Sequence, residues 1–143
     1  MEIKLIIDEN RKEEVIIYAH NETPLINDIK NLIENHENEI IAYDENEIIK
    51  LSIQDVYCFT IESSKLYAIT ENNKLMIKQR LYQIEKILDN SFVKINQSSI
   101  ANIKKIEKFS VSIGGTLIAK FKNGYKDYVS RRQVKTVKER IGI

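Results

Sequence analysis

With a single cysteine, Cys58, the chain can form no internal disulfide, which suits a reducing compartment. Its two histidines, His20 and His36, stand in no metal-ligand spacing with that thiol, so no metal is expected. Both sit among polar residues near element ends and read as surface side chains. Cys58 alternates within an apolar pattern and reads as a core residue rather than a nucleophile. There are only four glycines. Gly114-Gly115 lacks the further glycines and the Lys-Ser/Thr that a phosphate-cradling loop needs. Carboxylate pairs such as Asp44-Glu45 fall in turns. No catalytic constellation remains, and neither enzymatic activity nor a cofactor is expected.

Long apolar runs are missing too. No stretch approaches the roughly 18 residues of a membrane-spanning helix, and MEIKLIIDEN opens with an acid rather than a basic lead. A cytoplasmic protein without membrane insertion is expected.

Acids are scarce in one part of the chain. Residues 1–90 hold 10 Lys/Arg and 18 Asp/Glu, a balance of −8. Residues 91–143 hold 12 Lys/Arg and only 3 acids, Glu107, Asp127 and Glu139, a balance of +9. Such asymmetry points to a polyanionic partner for the basic part. The competing explanation is an ordinary lysine surface whose field the acidic half neutralises.

What is present is mostly strand pattern. IKLIID and EEVIIYAH read as two strands around the polar Asp8–Lys12 segment. Thr23-Pro24 starts a helix, a capping hydroxyl followed by proline. Leu25, Ile29, Leu32 and Ile33 continue it, giving a β-β-α unit. EIIAY, EIIKLSI, VYCFTIE, KLYAIT and KLMIK come next as strands, with DEN and ENN as turns. QRLYQIEKIL has Leu81, Ile84 and Leu88 at helical spacing. FVKIN, IKKIEKFSVSI, TLIAKFK and KDYV are further strands, with Gly114-Gly115 and Asn123-Gly124 as hairpin turns. In YVSRRQVKTVKERI, Ser130 and Gln133 have capping-box spacing, and Val134, Val137 and Ile141 form one helical face. Arg131 and Arg132 then fall in the first turn, where the helix dipole disfavours each cation by about 0.3–1 kcal/mol.

Three polar segments stand out among these elements. IESSKLY places Ser63, Ser64 and Lys65 in a loop or bulge. FVKINQSSIANI places Asn96, Gln97, Ser98 and Ser99 between apolar runs, a pattern that alone also fits a plain turn. Ser130, Arg131 and Arg132 form the third. Asn and Gln can pair with adenine and Arg with guanine, whereas Ser and Lys suit phosphates.

The linked set FVKINQSSIANIKKIEKF, the Gly-Gly hairpin, LIAKFKNG and YVSRRQVKTVKERIGI resembles the LytTR family of bacterial DNA-binding domains. IESSKLYAIT and LYQIEKIL match that family's upstream strand and helix. The resemblance covers roughly residues 40–143. It implies a mostly β, elongated multi-stranded body with short helices, in a stand-alone transcription regulator without a receiver domain. Residues 1–39 would form the β-β-α extension, serving dimerisation or, the preferred role, stability. The resemblance also implies double-stranded DNA as partner, read in the major groove through loops. Family members commonly occupy paired direct repeats, so a homodimer is expected at least on DNA. Carried over by segment, the contacts fall on Ser64 and Lys65, on Asn96, Gln97 and Ser98, and on Arg131 and Arg132. Gln97 stands where many members have a basic residue. Lys94, Lys104, Lys105, Lys126 and Ser130 are weaker candidates for phosphates. Two other classes remain open: an RNA-binding module, and a protein-interaction adapter using the basic half. Phe92, Phe109 and Phe121 read as buried, which leaves Tyr125 and Tyr128 for stacking on single strands.

Overall fold

The computed structural model describes residues 1–35 and 39–142. The chain divides into two units, residues 1–36 and 37–143. His36, and the expected boundary beside it, touch residues 36–38, which lie outside the described residues.

In the first unit α1 spans Pro24–Asn35. The Thr23 hydroxyl accepts from the Ile26 N–H at 3.3 Å, as the Thr-Pro signal predicts. The buried side chain of α1 is Ile26, not the expected Leu25, Leu32 and Ile33 face, which is exposed; Ile29 is half-buried. A correction is also needed upstream. Residues 8–11 form a turn, with the Asn10 N–H donating to Asp8 Oδ1 at 2.9 Å, but neither flanking segment joins a ladder. The two strands of the β-β-α expectation are therefore absent, and the helix alone is formed. A two-stranded ribbon with no third strand is at best marginal, whatever its β-branched content.

The second unit is built of strands. They are β1 (Glu39–Asp44), β2 (Glu47–Ser52), β3 (Cys58–Glu62), β4 (Lys65–Ile69), β5 (Lys74–Ile77), β6 (Phe92–Asn96) and β7 (Ser99–Asn102). These make one antiparallel sheet in the order β2-β1-β5-β4-β3-β7-β6. A second sheet has the order β10-β9-β8, from β8 (Ile106–Val111), β9 (Leu117–Phe121) and β10 (Lys126–Val129). Helices α2 (Leu81–Ile87) and α3 (Val134–Ile141) complete it.

Period-two alternation sends side chains to opposite faces of the large sheet. Phe59, Leu66, Ala68, Leu75, Ile77 and Ile100 pack with Leu81 and Ile84 of α2. Their neighbours Cys58, Ile69, Val93, Ile95 and Ala101 pack with Phe121, Val129 and Val137, from the small sheet and α3. The large sheet is thus covered on one face by α2 and on the other by the small sheet and α3.

Local chemistry sets the connections. Gly115 (φ 84°) and Gly124 (φ 90°) take the left-handed conformations that the hairpin signals predict. The pattern also predicts one strand from Ile103 onward. Instead Asn102 accepts from the Lys104 N–H at 3.1 Å and opens a 3-10 turn, so a separate strand, β7, runs before it. The buried Asn102 amide also donates to the Val56 carbonyl at 3.0 Å, fixing β7 beside β3.

Phe121, 1% exposed, belongs to the cluster that the large sheet's inner face shares with α3. Phe121→Ala should lower unfolding free energy by about 3–5 kcal/mol, read from the urea midpoint at unchanged slope.

Candidate functional site

The fold brings three connections to one end of the second unit. Ser63 and Ser64 join β3 to β4, Gln97 and Ser98 join β6 to β7, and Ser130–Gln133 join β10 to α3. Because β3 and β7 are antiparallel neighbours, with Thr60 opposite Ser99, the first two turns are adjacent. The Ile61 N–H donates to the Ser98 carbonyl at 2.8 Å and ties them. The Ser130 N–H donates to the Ile95 carbonyl at 2.8 Å and brings in the third.

Each turn is shaped by its own residues. Ser63 (φ 52°) and Ser64 (φ 65°) both adopt left-handed backbone, as a two-residue hairpin between Glu62 and Lys65 requires. Asn-Gly would take that shape with less strain, which typically costs about 1–3 kcal/mol per non-glycine residue. In the second turn Asn96 Oδ1 accepts from the Ser98 N–H at 2.9 Å, leaving Gln97 and Ser98 exposed. The third departs from expectation. It is the Ser130 backbone carbonyl, not its hydroxyl, that accepts, from the Gln133 and Val134 N–H groups at 2.9 and 3.2 Å. Helix α3 begins at Val134, so Arg131 and Arg132 occupy a turn before it rather than its first turn. Both are exposed, and neither meets a carboxylate among the described residues.

Beneath the turns lies a carboxylate. Asp127 accepts from Asn96 Nδ2 at 3.1 Å, from Ser99 Oγ at 2.6 Å and from the Tyr128 N–H at 2.8 Å. Ser99 gives its only proton to Asp127, so Thr60, 2.8 Å away, must donate to Ser99. Asn96 also donates to the Tyr128 carbonyl at 2.9 Å. This network joins β3, β6 and β7 of the large sheet to β10 of the small one.

It also changes the assignment of Asn96. The residue is 1% exposed and its amide is committed on both sides, so it presents no edge to a base. Asn96 instead holds the backbone of the turn that carries Gln97. Asp127 was invisible to motif reasoning, although a lone acid within KDYV, in so basic a segment, was the available signal.

Other expected residues scatter. Lys94 is half-buried in β6, opposite Ile100. Lys104 and Lys105 lie past the far end of β7 from the Gln97 turn, with Lys105 Nζ 5.3 Å from the Tyr57 ring centroid. Lys126 starts β10, about three residues or 10 Å from its Arg-bearing end. Of the aromatics, Phe92 and Phe121 are buried and Phe109 is half-buried. Tyr125 is half-buried and its hydroxyl faces Asp127, while Tyr128 is 49% exposed.

Cys58 is fully buried. Burial, and then the Asp127 charge, push its thiol pKa well up, outweighing the opposite effect of the nearby Ser99 hydroxyl. It stays a protonated core residue, as expected. Burial foremost, with Cys58 and Asp127 adding, also raises the Tyr125 hydroxyl. Among the described residues no group of His, Cys, Asp and Glu could hold a metal, and no helix is long and apolar enough to cross a membrane.

Residues 46–142 match the LytTr DNA-binding domain family. The chain is 34% identical over 148 residues to an uncharacterized HTH-type transcriptional regulator of Staphylococcus aureus strain NCTC 8325, covering 100% of this chain and 99% of that one. A similarly named protein of strain N315 is 33% identical over 150 residues with the same cover. A solved LytTr DNA-binding domain from Bacillus cereus shares the fold, with a TM-score of 0.69 at 18% identity, covering 75% of this chain and 99% of that one. Despite the relatives' names, no two α-helices among the described residues succeed one another without a strand between them.

Removing the central acceptor should be costly. Asp127→Ala strands the Ser99 and Asn96 donors and should reduce stability by about 1–3 kcal/mol in denaturant titration. The raised thiol brings a pH dependence. The unfolded thiol ionises near its ordinary value of 9.0 while the folded one stays protonated. Stability is then intact below that pH and falls above it, by up to about 1.4 kcal/mol per pH unit for this group. Cys58→Ala should flatten that decline in melts recorded from about pH 8 to 10.

Proposed function

This chain belongs to the LytTR family of DNA-binding domains, and we propose that it is a sequence-specific transcription regulator that reads the major groove with turns rather than a helix. The observation that carries this reading is the convergence of three exposed turns far apart in sequence. They bear hydrogen-bonding and cationic side chains, backbone bonds tie them to one another, and the Asp127 network joins the strands beneath. A major groove about 12 Å wide admits such a cluster.

Arg132 takes a guanine edge and Gln97 an adenine edge, the pairings for which those side chains have matching donors and acceptors. Ser64, Lys65, Ser98 and Arg131 hold phosphates alongside. Asn96 acts indirectly by fixing the turn that carries Gln97. Two protomers bind paired direct repeats, as homodimers at least on DNA. The N-terminal unit has 4 Lys/Arg against 8 Asp/Glu in residues 1–36 and takes no part in phosphate contact, which leaves it to dimerisation or stability.

Selection of the purified protein against randomised duplexes, with sequencing, should enrich a short repeated element. On that element Arg132→Ala should weaken binding by about 1–3 kcal/mol and relax preference at one base pair. Unaltered affinity and preference in that variant would remove Arg132 as a reader. Salt-sensitive binding without any enrichment would reduce the site to a basic surface.

A further inference from the structure

A groove of about 470 Å³ opens beside the Ser63-Ser64 turn, between it and the start of α2. Lys65, Lys78 and Arg80 are among its lining residues, with Ser64, Gln79 and Tyr82, and no carboxylate among the described residues lines it. Only Lys65 and Ser64 belong to the turns described above.

The cations crowd one another, although Lys65 also stands opposite Glu62, which Lys74 engages. Leu66 pairs with Ile77 across β4 and β5, so one step further the register sets Lys65 level with Lys78. Like charges facing one another across strands destabilise a sheet. Lys78 finds partial relief over the Tyr43 ring, with Nζ 4.2 Å from its centroid. Arg80 uses its backbone N–H to bond Gln83 Oε1 at 2.8 Å at the start of α2, and its side chain is exposed. None of the three cations has a carboxylate partner among the described residues. An anion from outside the chain would relieve all of them together.

The groove also adjoins the converging turns. Ile61, on its wall, donates its N–H to Ser98 of the neighbouring turn. A duplex seated on Gln97 and Arg132 has backbone continuing beyond the bases being read, and this cation-lined groove lies next to them, with the nearby Glu62 already engaged by Lys74. We propose that Lys78 and Arg80, with Lys65, form a phosphate clamp on the duplex backbone flanking the read bases, adding affinity without sequence preference. The clamp rests on the DNA-reading function proposed above.

The test is the salt dependence of binding by the full chain carrying Lys78→Gln and Arg80→Gln, on the selected element and on an unrelated duplex. Both side chains are exposed, so the fold should persist, which a melting curve checks. Loss of two phosphate contacts should lower the slope of log affinity against log salt by about 1.8. Affinity should fall by a similar factor on both duplexes, leaving their ratio within about twofold of the wild type. The Lys104→Gln, Lys105→Gln pair removes the same charge at the far end of β7, and its slope should change by less than half as much. An unchanged slope in the groove variant, with sequence preference intact, would overturn the clamp alone. A loss confined to the selected element would mean that the groove reads bases, and would overturn it too. Absence of duplex binding by the wild-type protein would sink the DNA-reading function and the clamp with it.

Discussion

The carboxylate of Asp127, held between two sheets, sets the geometry on which the exposed turns depend. It sits on β10 of the small sheet yet accepts from Asn96 and Ser99 of the large one, and through Ser99 it reaches Thr60 on β3. Hydrogen bonds to an ionised acceptor are roughly twice as strong as neutral ones, and these lie partly out of water. Apolar contact alone, between Phe121, Val129, Ile95 and their neighbours, would hold the sheets together but would tolerate small slides. The directional bonds to Asp127 fix the register of one sheet against the other, and so the relation between the turn bearing Gln97 and the turn bearing Arg132.

Above that network the molecule accepts local cost. Ser63 and Ser64 hold left-handed backbone without glycine. Lys65 and Lys78 lie one step beyond the last β4–β5 pair, Leu66 with Ile77. Arg131 and Arg132 sit next to the positive end of α3, although outside its first turn, where the dipole's effect is already weakening. At the opposite end of α3 the chemistry favours stability: Lys138 and Arg140 complement the dipole, and Arg140 also donates to the Asn90 carbonyl at 3.1 Å. Costs concentrated at one end of a unit, with stabilising choices elsewhere, are what a surface adapted to an external polyanion looks like.

Much of this was legible in the sequence because it comes from short-range rules. Alternation and turn residues place β1 to β6, and the Gly-Gly and Asn-Gly pairs mark the hairpins of the small sheet through backbone freedom that few other residues have. Helical spacing places α2 and α3. The linked motif from Phe92 to the Arg131-Arg132 pair identifies the family, whose model matches residues 46–142. Where two apolar segments needed a partner, as in residues 2–7 and 13–19, β-branched content could not supply one. Where one side chain divided a run, as Asn102 does before Ile103, the pattern carried no warning.

By itself, then, the sequence determined the family, the strand-rich class, the basic C-terminal stretch and the residue types available to meet DNA. Tertiary structure decided which of those residues share a surface. Asn96 and Gln97 are adjacent letters of equal apparent promise, yet one is 1% exposed and bound to Asp127 while the other is exposed. Lys104 and Lys105 count toward the same net charge as Arg131 and Arg132 but lie at the far end of β7 from the turns. Lys78 and Arg80 belong to no motif, and it is the pairing of β4 with β5 and the turn into α2 that bring them beside Ser64 and Lys65. Charge and propensity are properties of residues, but burial and adjacency arise only when strands distant in sequence are paired.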